Sequence, residues 1–162
     1  MGLEYLTLVH VVISLVGIAS GFGVLSGLLA ATLFPRWTAV FLATTVATTV
    51  TGFFFPFRGF TPAFAVGLIS LLPLAAANYA LYFQHLAGAW SKSFVVSALT
   101  ALYLNVFVLI AQMFLKQPAL SALAPTQSGP PFLVTQLLVL ALFIALAIAA
   151  TIRFRAEPIR AT

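Results

Sequence analysis

"VHVVISLVGIASGFGVLSG", residues 9–27, sets one histidine and four glycines into a run that is otherwise apolar. No charged residue interrupts the chain from Tyr5 to Pro35, and further charge-free runs of at least 21 residues extend from Trp37 to Phe57, Gly59 to Ser91 and Ser93 to Leu115, with a longer one after Lys116. Each is long enough to cross about 30 Å of hydrocarbon as a helix, which takes roughly 20 residues. Composition agrees: 63% of residues are hydrophobic and 6% charged, against roughly 45–50% and about 25% in soluble domains. The first run carries Glu4 where a signal peptide would have a basic segment, and it stays apolar for too long to be one.

Breakers divide the remainder. Pro35 and Arg36 separate the first two runs. Pro56, Arg58 and Gly59 precede Thr61-Pro62, an N-cap followed by proline at the first helical position. "LAGAWSKS" precedes the fourth run, and the proline-rich segment 117–131 precedes the fifth. The pattern predicts an all-α integral membrane protein, one polytopic transmembrane domain covering residues 1–162, with five helices over 4–33, 37–54, 62–88, 92–116 and 132–153. Five crossings put Arg36, Lys92, Arg153, Arg155 and Arg160 on one side and Arg58 and Lys116 on the other. Basic loops stay inside during insertion, so the first set is expected to be cytoplasmic, with the N-terminus outside and the C-terminus cytoplasmic. Trp37 and Trp90 fall at the expected inner interface. The compact multi-span design suggests a bacterial inner membrane.

Helical spacing explains the glycines. His10, Ser14, Gly17 and Gly21 share one face, and Ser20, Gly23 and Gly27 form a second about 100° away. Small residues let another backbone approach closely, the main source of helix association in lipid. Gly17, Gly21, Gly23 and Gly27 are therefore expected to be packing sites. The second helix aligns Thr44, Thr48 and Thr51, with Thr45 and Thr49 beside them. The fourth aligns Ser97, Asn105, Gln112 and Lys116, and the third carries Gly67, Ser70, Asn78 and His85. Pro73 predicts a kink, with the freed carbonyl of Ile69 taken up by a nearby hydroxyl or water. The fifth helix is almost wholly apolar, with Ala141, Ala145 and Ala149 as its small edge. These stripes predict a four-helix bundle with the fifth helix at its periphery.

The functional candidates are few. At about 1.5 Å per residue, His10 lies roughly 12 Å toward the outer face and His85 roughly 15 Å toward the inner one. That excludes one haem iron held by both. Thr51 and Gln112 share the level of His10, while Asn78, Asn105 and Thr44 lie near the midplane. His10, Ser14, Thr51, Asn78, Asn105 and Gln112 are the candidate ligand-binding residues, and the apolar ligands they suit are a quinone, a haem on a single histidine, or a lipid. No metal site is expected.

Absences narrow the classes. Glu4 and Glu157 are the only carboxylates and stand at opposite ends, so paired acid–base catalysis cannot assemble. There is no cysteine, phosphate loop, nucleophile elbow or metalloprotease helix. The isolated cations form no nucleic-acid patch. The leading expectation is a non-catalytic packing subunit or scaffold, in the lipid bilayer with copies of itself or other membrane subunits. The alternatives are a binding protein for an apolar ligand and a channel or facilitator for a small neutral solute using its hydroxyls and amides.

Overall fold

A computed structural model describes residues 2–56, 62–125 and 129–155. Among them there is no strand. The helices are α1 (Gly2–Leu29), α2 (Pro35–Gly52), α3 (Pro62–Asn78), α4 (Ala89–Lys116), α5 (Pro118–Leu123) and α6 (Pro130–Arg153). A π-helical segment, Tyr79–Phe83, continues α3.

The starts and stops follow local chemistry. Proline opens α2, α5 and α6, none of which has a side-chain N-cap; proline lacks the N–H that the first turn would leave unpaired. Thr61, expected as a cap, lies outside the described residues, as do Arg58, Glu157 and Arg160. Helix α1 stops in a Schellman turn: the Thr32 N–H donates to the Gly27 carbonyl at 2.8 Å and the Ala31 N–H to Leu28 at 3.2 Å. Ala31 takes the left-handed position, φ 56°, which glycine usually fills. α1 thus ends four residues earlier than the sequence pattern suggested.

Helix α3 runs through Pro73 and leaves α geometry only after Asn78. There the Gln84 N–H reaches back to Tyr79 at 3.1 Å, and the rings of Tyr79 and Phe83 stack at 5.5 Å. The Ser70 hydroxyl bonds Gly67 at 2.8 Å, not the Ile69 carbonyl. His85, Leu86 and Gly88, all at positive φ, turn the chain into α4. The expected helix over 62–88 is therefore shorter at its end, and α4 begins three residues before the expected start. The segment 117–131 is not simply an extended loop: α5 forms within it, and Ala124 packs with Phe114 and Phe132.

Helix α1 packs along α2, α2 also meets α3, and α4 touches α1, α3, α5 and α6; α6 lies against α4 and α1. The core lies where α1, α2 and α4 converge on Leu28, Phe41, Leu42, Phe94, Leu99 and Leu102. Four helical stretches are long and apolar enough to cross a membrane: Gly2–Leu29, Phe64–Phe83, Ala89–Lys116 and Pro130–Arg153. Helix α2 is not among them, because Arg36 and six threonines dilute its 18 residues. These four apolar helices make the chain an integral membrane protein. Leu137, Leu138, Leu142, Ile148 and Ile152 of α6 stand exposed, a surface that lipid solvates and water does not.

The inward side of α6 differs from the expected alanine edge. Ala141 and Ala145 are exposed, and the buried residues are Phe132, Gln136, Phe143 and Ala150. Aromatic filling carries this contact: Phe143 meets Tyr103 of α4 at 5.7 Å and Phe22 of α1 at 6.3 Å between ring centroids.

Candidate functional site

The glycines of α1 form a seam that α2 fills. A Cβ on Gly17 would lie 3.1 Å from the Thr44 hydroxyl, and one on Gly23 would lie 2.9 Å from the Trp37 ring. At Gly27 it would meet the Thr32 carbonyl at 2.8 Å, and at Gly21 it would meet Leu102 of α4 at 2.5 Å and Phe41 at 3.0 Å. Steps of two to four residues along α1, from Gly17 to Gly21, Gly23 and Gly27, are matched by steps of three or four backward from Thr44 to Phe41, Trp37 and Phe34, so the two helices are antiparallel neighbours.

The end of this seam near the start of α1 is polar. His10 Nδ1 lies 2.8 Å from the Thr51 hydroxyl oxygen. Ser14 donates to the His10 carbonyl at 2.6 Å and approaches the Thr48 hydroxyl at 3.4 Å. Thr51 has a single proton, and carbonyls lie at 2.7 Å on Ala47 and 3.1 Å on Thr48. With its one proton given to a carbonyl of its own helix, Thr51 accepts from His10 Nδ1–H. Imidazole Nε2 then carries the lone pair, and it makes no hydrogen bond to another described residue. Phe55 packs edge-on to the imidazole at 5.2 Å, Gly52 faces the ring carbon Cε1, and the ammonium of Lys116 acts on His10 electrostatically.

The midplane amides are separate. Asn105 Nδ2 approaches the Thr45 hydroxyl at 3.4 Å, joining α4 to α2, whereas Asn78 donates to Leu74 of its own helix at 2.8 Å. Both are half-buried. Gln112 is half-buried without a hydrogen bond to another described residue. Gly67 has open space where a Cβ would stand, so it is not a packing glycine. His85 is exposed in the turn before α4, at the opposite end of the molecule from His10. The six candidate residues thus divide: His10, Ser14 and Thr51 form one cluster, while Asn78, Asn105 and Gln112 do not join it. Among the described residues no group of three or more His, Asp or Glu side chains could hold a metal.

Two contacts were not anticipated. Buried Gln136 donates from Nε2 to the Phe107 carbonyl at 3.1 Å and leaves Oε1 unpaired. Its signal was present, an amide in a run otherwise free of them. Trp37 packs on Gly23 while remaining half exposed, so it serves the seam. No protein family matches the chain, and no curated protein or solved structure matches it.

Proposed function

We propose that the chain is a five-span, non-catalytic membrane protein acting as a helix-packing subunit or scaffold of a membrane assembly. The observation that carries this reading is the α1–α2 seam, where each glycine is met by a neighbouring atom and the polar side chains bond helix to helix or back to their own backbone. Such a seam gives α2 its route through the bilayer despite its threonines. Three of its six threonine hydroxyls, those of Thr44, Thr49 and Thr51, are spent on carbonyls one turn back, which lowers their desolvation cost, while the buried Thr38 hydroxyl has no partner. At about 1.5 Å per residue an 18-residue helix measures about 27 Å. The other four long helices form the rest of the bundle, with α6 outermost. The basic ends of α2, α4 and α6 face the cytoplasm of a bacterial inner membrane, and the assembly partner is a second copy or another membrane subunit.

One observation favours a second reading. The unpaired Nε2 of His10, with the ring oriented by Thr51, is the arrangement in which a histidine accepts a proton from a quinol or ligates a haem iron. The fully buried Leu28, Phe41, Leu99 and Leu102 across the bundle centre weigh against a polar path for a neutral solute.

Purification in mild detergent, followed by absorption spectroscopy, mass spectrometry of retained small molecules and light scattering, tests these readings. The scaffold reading expects no chromophore or quinone and a defined oligomer or complex. A Soret band or stoichiometric quinone that disappears in His10→Phe overturns it in favour of the second.

A further inference from the structure

Outside the seam, a groove lies between α4 and α6, with Ile69 of α3 at its edge. Its volume is about 580 Å³, and its walls are apolar except for Thr100, Tyr103 and Thr151. Val96 near the start of α4 and Ile152 near the end of α6 both line it, so one end of the groove coincides with the basic end of the molecule. Exposed Val96, Ile148 and Ile152 leave that end open to the surrounding bilayer.

Cations stand at that end. Lys92 lies one helical turn before Val96 on the same face of α4 and is exposed. Arg155 follows α6 directly and is also exposed. Arg153 is engaged with the end of α1, donating to the Leu29 carbonyl at 3.3 Å. Among the described residues the one acidic side chain, Glu4, sits in the first turn of α1 at the far end, so no described carboxylate stands beside these cations. Lys92 and Arg155 suit an anionic group, and the groove beside them fits hydrocarbon.

We infer that this groove holds one acyl chain of an anionic phospholipid, whose phosphate is bound by Lys92 and Arg155. Basic pockets between helices on the cytoplasmic side recognise anionic headgroups by this combination of charge and apolar surface. The lipid seals the α4–α6 contact, which aromatic rings fill on its inner side and no described residue covers on its outer side.

The inference rests on the membrane-spanning reading, and the experiment separates the two. Carbonate washing of membranes that contain the full-length protein tests the reading: a chain stripped off by carbonate fails it. For a chain that resists washing, native mass spectrometry after exposure to phosphatidylglycerol and phosphatidylcholine with identical tails tests the lipid site. The expected result is one phosphatidylglycerol retained per chain and little phosphatidylcholine, with Lys92→Ala lowering the retained fraction about fivefold. Ala147→Trp, which fills the groove from α6 and leaves both cations in place, is expected to abolish retention. Equal retention of the two lipids by the unmodified protein overturns the proposal whatever the variants do. Undiminished phosphatidylglycerol on both variants, at unchanged helix content by circular dichroism, overturns it as well.

Discussion

Helix α1 and helix α6 are both apolar enough to cross a membrane, yet 33% of the most apolar stretch of α1 is buried against 17% for α6. Hydropathy does not explain the order, because α6 has the higher mean hydropathy, 2.7 against 2.2. The difference lies in side-chain size. α1 offers four glycines between residues 17 and 27 and a row of hydroxyls, so α2 approaches closely along it. α6 has no glycine, two of its alanines face outward, and its leucines and isoleucines find a neighbouring helix and a lipid tail nearly equivalent surroundings. In lipid, burial follows small residues and polar pairing in preference to apolar area.

The sharpest way to break this contrast is to fill the seam. Gly21→Ile places a branched side chain where a single Cβ already meets Leu102 at 2.5 Å and Phe41 at 3.0 Å. The expected outcome is loss of the folded bundle, seen as aggregation on size exclusion in mild detergent. Gly27→Ala is milder but meets the Thr32 backbone, which cannot rotate away as a side chain can. It is expected to destabilise by about 1–3 kcal/mol, read from unfolding in mixed micelles. Ala31→Gly acts in the opposite direction, because the left-handed position that ends α1 strains alanine; a gain of about 1 kcal/mol is expected in the same assay. The His10–Thr51 pair should show a coupling of about 0.6 kcal/mol, and no more than about 1.7, in a double-mutant cycle with His10→Phe and Thr51→Val. Leu142→Ala on the exposed side of α6 should stay within about 0.5 kcal/mol of the unmodified protein. If Leu142→Ala proved as damaging as Gly27→Ala, the contrast between the two helices would fail.

Much of this was legible in the sequence, for a simple reason. Charge-free length and helical spacing are properties of one chain segment, so the all-helical membrane class and the glycine faces of α1 could be read locally. Depth also follows from residue number, and His10 and Thr51, placed at one level by counting 1.5 Å per residue, lie in hydrogen-bond contact. What counting cannot supply is rotation of one helix about another. Asn78 and Asn105 share a depth, yet one bonds its own backbone and the other approaches Thr45. The alanines of α6 misled because an edge of small residues packs only where a neighbour presents itself, and α4 presents Tyr103 and the Phe107 carbonyl to the Phe143 and Gln136 side instead. The π-helical turn at Tyr79–Phe83 left no trace in periodicity, since it shifts the register by a single residue. Helix α2 is the informative departure: its threonines lower its hydropathy, and the same threonines supply the contacts that hold it to α1.

The status of α2 as a crossing is the point at which the account is most exposed. The chain has no native cysteine, so single cysteines at Thr32 and Phe54, on either side of α2 and both exposed, can be probed with a membrane-impermeant maleimide in sealed vesicles of known orientation. The account predicts labelling of Thr32→Cys from the cytoplasmic side only and of Phe54→Cys from the opposite side only. Labelling of both from the same side would show that α2 does not cross, and the five-span scaffold would be wrong.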